Sequence, residues 1–509
     1  MSKAFDKVWH KGLICKLQSY GIQSNLLSLL TEYLSNRKQR VILNGITSSW
    51  KPITSGVPQG SVLGPLLFLI FINDLPDNLI CNPKLFADDV SLNAVMYDKN
   101  MCTKNLKDDL SRLYEWSAKW KMIFNPDPTK PAEEVIFTNR NSTSYETIAY
   151  AGVDVQPVDY HKHLGFVLDS KMNYSNHVDE KITKANQGIG VIKRLYHYLP
   201  RNSLLQIYKS FVRPHLDYCD VIYHKPTYDD FYSTYYSERA KTDPINTNFH
   251  FTNKIEAVQY NASLAITGCV RGTSREKLYS ELGLTSLYVR RRFHRLSLFY
   301  KILNHLTPEY LRNFIPDSIR RLQNTRTNRG DSIPTRTLKF RYSFFPDVLN
   351  TWNLLSSLIK SSPSLNVFKK RYMEFFNVSP NPIYGIHNPL GLKYLTRLRV
   401  GLSHLRSQKY LHNFRDTPSK FCSCSNNTPE TVEHYLLHCP LYHLIRSELF
   451  EKLKQIISLT TLISPTYTCN LLLFGNSSYD TCTNQKILEL TISFITSSNR
   501  FEGAFISND

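Results

Sequence analysis

No apolar run in these 509 residues approaches the thickness of a bilayer. The longest, Leu66 to Ile72, is seven residues, against the roughly 20 that a spanning helix needs. A membrane partner is not expected, and the mixed, charged N-terminus carries no hydrophobic export signal. Acidic residues are also scarce, 42 against 62 Lys and Arg, which leaves a formal charge of +20 and a pI near 9.4. That imbalance favours a polyanionic partner, and nucleic acid is the first candidate. Cysteine is no richer than ordinary. Of ten, Cys15, Cys81, Cys102, Cys219, Cys269, Cys469 and Cys482 lack paired spacing, which suits a reducing, intracellular compartment rather than a disulfide framework. There is no internal repeat. What the chain does have is 42% hydrophobic content, enough to fill two or three cores of ordinary domain size.

Leu13 to Leu34 shows helical spacing, and Arg40–Gly45 reads as a strand entering an Asn-Gly turn, with Trp50 to Ile53 as its returning partner. Leu66 to Leu75 reads as a buried helix with Pro65 in its first turn. Leu85 to Leu92 makes a hairpin, and Leu106, Leu110, Leu113, Trp116 and Trp120 mark an amphipathic helix. Val135 to Phe137 and His163 to Leu168 add short strands, so an α+β unit ends near residue 170. A mostly α region follows: Val178, Ile182, Ala185, Ile189, Ile192 and Leu195 line one helical face, and Leu204 to Val212 come after Pro200. Residues 225–253, rich in Tyr, Asp, Thr and Asn, read as an insertion or linker, and helical patterns resume at Ile255. Between Arg290 and Arg341 thirteen basic residues meet three acidic ones, interleaved with Phe293, Phe299, Tyr300, Phe314 and Phe340, a composition suited to backbone contacts with RNA and stacking on bases.

The chemistry concentrates at Phe86-Ala87-Asp88-Asp89. Two adjacent carboxylates at a hairpin tip repel each other, and divalent cations relieve that repulsion during phosphoryl transfer. Alone, the tetrad fits an acidic turn in a surface hairpin better than a metal site. It is preceded, however, by Ser2-Lys-Ala-Phe-Asp-Lys-Val-Trp-His10 and by Ser55-Gly-Val-Pro-Gln-Gly-Ser-Val-Leu-Gly-Pro65. In order and spacing these three stretches resemble motifs A, B and C of reverse transcriptases, most closely those of non-LTR, LINE-type, jockey-like retrotransposons.

The resemblance implies an RNA-directed DNA polymerase that adds deoxynucleotides (dNTPs) to a DNA primer or target on an RNA template, using Mg2+ or Mn2+. Asp88 is then the metal-binding carboxylate of motif C and Asp89 its neighbour. Phe5 lies under the incoming sugar, and Gly56, Pro58, Gln59 and Gly60 approach nucleotide or template. Lys130 matches the motif D lysine that protonates departing pyrophosphate, and Leu164-Gly165 lies in a motif E hairpin that grips the primer. In the family, motif A reads Asp-x-Ser-Lys-Ala-Phe-Asp. Met1 stands at x, so the metal-binding aspartate aligns one residue ahead of the chain. Asp6 lies roughly 20 Å further along an extended strand and cannot replace it.

The implied architecture is a partial right-hand palm without fingers over residues 1–170. Thumb-like helices follow over 171–224, where Lys181, Lys184, Lys193 and Arg194 would meet phosphates, then a basic helical region over 254–415. The expectation is an N-terminally truncated polymerase, inactive as it stands. The alternative is a non-catalytic, RNA-binding remnant or repurposed retroelement protein. A retroelement enzyme would work in a cytoplasmic ribonucleoprotein and in the nucleus.

Residues 416–509 hold the other chemical signal. Cys422, Cys424, His434 and Cys439 form a Cys-Cys-His-Cys set suited to tetrahedral, structural Zn2+; free thiols beside a helix are the plain alternative. Five residues on a regular helix turn His434 and Cys439 about 140° apart, so the helix must end before Cys439, where Pro440 follows. The set also resembles the C-terminal Cys/His motif of several LINE-type elements, which implies a grip on template RNA.

Overall fold

The computed structural model describes residues 4–124, 132–138, 146–224, 249–315, 333–375, 380–381, 383, 385–424, 427–458 and 464–501. The chain divides into two units, Met1–Asn173 and Tyr174–Asp509. The α+β expectation holds in coarse form, with every described strand ladder in the first unit and a helical second unit.

In the first unit the Leu13–Leu34 pattern becomes two helices, His10–Ser19 and Ser24–Leu34. Their buried faces, with Leu13, Leu17 and Leu34, close on Phe68 and Phe71 of the helix Leu63–Ile72. The 22-residue helix Lys99–Trp120 is capped by the Asp98 carboxylate, which accepts from the Met101 amide. It adds Leu113 to the same core, with Leu110, Trp116 and Trp120 partly buried against it. Lys16 is a charged exception inside. Its ammonium lies 3.8 Å from the Trp120 ring centre and donates to Phe71 O and Asp74 Oδ1, both at 2.5 Å, while burial lowers its pKa. Trp116 Nε1 donates to the same Asp74 oxygen, so one carboxylate ties three elements together.

Two strand expectations need correction. Ile42–Leu43 pairs with Ile46–Thr47, because Asn44 and Gly45 both take positive φ and close a two-residue turn. The Trp50–Ile53 stretch therefore pairs further out, Lys51–Pro52 with Lys38–Gln39. Val135 to Phe137 is not a strand; the two preceding residues, Glu133–Glu134, pair in parallel with Gln156–Pro157.

In the second unit the helix Ser175–Leu195 buries Val178, Ala185, Ile189 and Ile192, the stripe its periodicity marks. A core running from Ile386 to Phe501 crosses residue 415, since the helix Pro389–Val400 packs on Thr481–Ser497. Glu281 is fully buried and accepts from Arg201 Nη1 (2.8 Å), Arg399 Nη1 (2.9 Å) and Asn381 Nδ2 (2.7 Å).

The basic tract departs most from its expected role. Arg291, Arg292 and Arg295 of the helix Leu287–Leu303 are buried. Arg295 donates to the carbonyls of Val221, His224, Ser343 and Phe344 and pairs with Asp347 at 3.1 Å. Phe299 and Tyr300 belong to the core, and Phe293 stacks on Tyr372. Arg295 staples helices together, and the three buried guanidinium groups face the interior rather than an RNA. Phe314 and Phe340 are exposed, and residues 316–332 of the tract lie outside the described residues.

Candidate functional site

The tetrad sits where the sequence puts it. Strands Asn82–Phe86 and Asp89–Asn93 pair antiparallel with Phe86 opposite Asp89, leaving Ala87 and Asp88 as a two-residue turn. Ala87 takes φ +49°, a left-handed conformation that costs an alanine roughly 1–2 kcal/mol. Asp88 is half-buried and Asp89 exposed. Asp88 thus belongs to the turn, while Asp89 opens the returning strand.

The foot of the hairpin rests on a residue the sequence reading passed over. Asp109, fully buried in the helix Lys99–Trp120, accepts from the amides of Ile80 (2.9 Å) and Cys81 (2.6 Å) immediately before the first strand. Arg112 Nη1 donates to Asp109 Oδ1 at 3.0 Å and to Asn78 O at 2.8 Å. Burial, then Asp109, pushes the Cys81 thiol up to about 12. The signal was available: Asp109 is an acid set between Leu106 and Leu113 on the apolar stripe. Replacing it, Asp109→Ala, strands the buried Cys81 amide and the partly buried Ile80 amide and should cost about 1–3 kcal/mol. Denaturant unfolding followed through Trp116 and Trp120 measures that loss, and a loss under about 0.5 kcal/mol contradicts the cradle.

The Gly/Pro-rich loop is zipped onto the short helical turn Ala4–Lys7. The Val57 amide donates to Phe5 O and the Gly56 amide to Val8 O, both at 2.8 Å. Ser55 Oγ donates to Asp6 O at 3.0 Å, Gln59 Nε2 to Asp6 Oδ1 at 2.8 Å, and His10 Nε2 to Gly56 O at 2.7 Å. Gly56 has φ +91°, and a Cβ there would stand 2.7 Å from the Asp6 backbone, so only glycine permits the approach. Phe5 is half-buried and stacks on Phe68 with ring centres 4.3 Å apart. Phe5, Gly56 and Gln59 thus come together, with Pro58 half-buried beside them and Gly60 exposed. Asp6 lies in the helical turn Ala4–Lys7 rather than on the extended strand expected of it, and its carboxylate orients Gln59. Phe5 and Ala87 border one core. Lys130 lies outside the described residues. Leu164 and Gly165, at φ +48° and +77°, turn the hairpin Tyr160–His163/Phe166–Asp169, the pair of positive angles that a two-residue hairpin turn requires.

In the second unit Cys422, Cys424, His434 and Cys439 converge, with one ligand atom from each within 4.8 Å of every other. The device that brings the last two together is a π-helical turn, His434–His438, closed by the Cys439 amide donating to His434 O at 2.7 Å. A five-residue repeat of the backbone bond stacks residue 439 over residue 434, which a regular helix cannot do. The helix does end before Cys439, and Pro440 begins a short 3-10 turn. Such a turn frees carbonyls. Buried Arg446 takes them up, donating to Leu436 O (2.9 Å), Cys439 O (2.7 Å) and Tyr435 O (3.3 Å).

Cys422 Sγ lies 3.7 Å from Cys439 Sγ, and Cys424 Sγ 3.4 Å from His434 Nε2. Tetrahedral zinc with bonds of about 2.3 Å to sulfur and 2.0–2.1 Å to nitrogen spaces such pairs about 3.8 and 3.6 Å apart. The donor set therefore fits a tetrahedral metal ion. His434 Nδ1 lies 3.3 Å from Thr428 Oγ1, a partner that fixes the ring with Nε2 turned inward.

Comparison with known proteins adds the family. The model for reverse transcriptase (RNA-dependent DNA polymerase) matches residues 1–155. Residues 1–155 are thus similar to reverse transcriptases, and the relatives that follow are enzymes of mobile elements such as jockey. The chain is 31% identical over 236 residues to the RNA-directed DNA polymerase from mobile element jockey of Drosophila melanogaster, covering 43% of this chain and 24% of that protein. It is 27% identical over 294 residues to the probable RNA-directed DNA polymerase from transposon X-element of the same fly, covering 56% and 30%. Over 189 residues it is 32% identical to the corresponding protein from transposon BS, covering 35% and 20%. The matches thus span between a fifth and a third of these relatives' own lengths.

Within the segment that matches reverse transcriptases, Asp88, the Gly56–Gln59 loop and Phe5, the candidates the sequence marks, all lie on one unit. The sequence reading missed Asp109 and His10, and it weighed Asp6 for another role than holding Gln59. Among the described residues, no helix is long and apolar enough to cross a membrane.

Proposed function

We propose that the chain serves as an RNA-directed DNA polymerase of a non-LTR retrotransposon, extending a DNA primer with deoxynucleotides on an RNA template. The observation that carries this reading is the docking of the Gly56–Gln59 loop on Phe5 and Asp6, in the same unit as the Asp88 turn and within the segment that matches reverse transcriptases. On this reading residues 1–170 are a palm and 171–224 a thumb. Asp88 holds Mg2+ or Mn2+ together with the carboxylate at the motif A position, with Asp89 beside it. The metal, when bound, lowers the pKa of the primer hydroxyl and offsets charge on the phosphates. Phe5, backed by Phe68, forms the floor for the sugar; Gln59, held by Asp6, presents its amide to nucleotide or template. Leu164-Gly165 grips the primer, and Lys130 supplies a proton near the leaving group. Cys422, Cys424, His434 and Cys439 hold a structural Zn2+.

Primer extension on an RNA template tests the reading. Residues 1–509 alone should be compared with the same residues preceded by an aspartate and the fingers segment of the jockey enzyme. Extension is expected from the second form. If it binds primer and template yet extends nothing, the polymerase reading fails and non-catalytic RNA binding takes its place.

A further inference from the structure

Beside the Cys/His cluster lies a polar cavity of about 480 Å³, lined among others by His404, Arg406, Lys409, Thr417, Ser423 and Arg500. Its size falls within the roughly 300–1,000 Å³ of ligand sites, but its lining is charged where those are mostly apolar. Ser423 stands between the two cysteines of the Cys422-x-Cys424 loop, so one wall of the cavity is the loop the cluster anchors.

The lining carries a surplus of positive charge. Its one carboxylate, Asp416, is already engaged by Lys409 Nζ. Arg500 forms a two-pronged pair with buried Glu430, at 2.7 and 2.8 Å, and that carboxylate also accepts the Arg406 amide at 2.6 Å. The Arg406 guanidinium donates to Phe421 O at 3.3 Å and has no ion pair among the described residues. His404 reports the same field. Burial, then Arg397, Lys409 and Arg500, push its pKa down to about 4. Its Nε2 accepts from Arg397 Nη1 at 3.0 Å, which leaves the ring proton on Nδ1. Cationic and neutral donors therefore dominate, and the only acid on the wall is occupied.

We propose that this cavity is an anion site for a phosphate group, and that the phosphate belongs to the backbone of a polynucleotide strand. The polynucleotide source rests on the nucleic-acid reading above. It is favoured over a free anion by the +20 charge of the whole chain, which draws a polyanion to the surface where one phosphate can seat.

The experiment uses the full chain and a fluorescent single-stranded RNA oligonucleotide, with anisotropy titrations at several salt concentrations. Substituting Arg406→Gln together with Lys409→Gln should weaken binding about fivefold per lost contact near 0.1 M salt and make the salt slope shallower by about 0.7 per contact. Asp416→Asn should act in the opposite direction, tightening binding by freeing Lys409. Opposed effects of this kind separate a charge-recognising pocket from general damage to the fold. Unchanged affinity and slope in both variants overturn the pocket while leaving nucleic-acid binding intact. If the unsubstituted chain shows no salt-dependent RNA binding, both readings fall. Inorganic phosphate, added as competitor, should displace RNA only at millimolar concentration. Displacement at micromolar concentration overturns the polynucleotide source and assigns the site to a free anion.

Discussion

Asp88→Asn is expected to reduce RNA-templated extension by roughly a thousandfold or more in any form of the chain that extends a primer, with primer and template binding unchanged. The substitution keeps shape and removes charge, so it separates metal binding from folding. Asp88 occupies the turn itself, between strands in register over five residue pairs, and its hairpin is pinned at the foot by Asp109. The substituted side-chain amide can occupy the same place in that frame. What it cannot do is share a divalent cation with a second carboxylate, because neutral oxygen repays little of the ion's lost hydration. Asp89→Asn should cost less, since on the proposed reading Asp88 is the direct metal ligand and Asp89, the first residue of the returning strand, is its neighbour. Full extension by the Asp88→Asn protein would remove Asp88 from the chemistry. Equal losses from both substitutions would contradict the division of roles.

The hairpin and the loop that docks on Phe5 were legible because each is local. Period-two alternation and an acidic turn place Asp88, and a run of Gly and Pro marks a backbone that another segment approaches closely. The helix stripes through Leu113 and through Ile189 were equally plain. Less legible were features that depend on partners distant in sequence. Asp109 stands out on the apolar stripe of its helix, but nothing local names its partners, two amides nearly thirty residues upstream. Arg291, Arg292 and Arg295 look like a nucleic-acid surface because composition cannot say which way a charge points; carbonyls at Val221, His224, Ser343 and Phe344 draw Arg295 inward. The strand partner of Arg40–Gly45 was misplaced for a related reason. A two-residue Asn-Gly turn permits only the nearest return, and that leaves Trp50 to the next register out.

The Cys/His cluster combines both kinds of legibility. Ligand types and order were visible, and so was the difficulty that a regular helix parts His434 from Cys439. The π-helical turn resolves it, at the expense of regular hydrogen bonding that Arg446 then repairs. Unusual backbone held by a buried guanidinium is costly to assemble for free thiols alone, and this argues that an ion completes the site.

Removal of that ion is therefore expected to have the largest effect on stability in the second unit. The chain should carry one equivalent of zinc, and chelation or Cys439→Ser should open residues 404–446 to protease. Structural zinc contributes about 10–16 kcal/mol in small zinc-binding peptides; a third of that would change local opening more than a hundredfold. The pH dependence has a definite sign. Burial pushes the Cys439 thiol up and the His434 imidazole down, so near neutrality the metal-free thiol is protonated while the imidazole is already neutral. Zinc must displace thiol protons and none from His434. Affinity should accordingly rise about tenfold per pH unit for each proton displaced and fall as the solution is acidified. Metal analysis and limited proteolysis across pH 6 to 8 measure both effects. Absence of zinc, together with a protease pattern that chelation leaves unchanged, would show four buried side chains that merely pack. Zinc retained at full affinity by Cys439→Ser would mean that the π-helical turn serves some purpose other than delivering the fourth ligand.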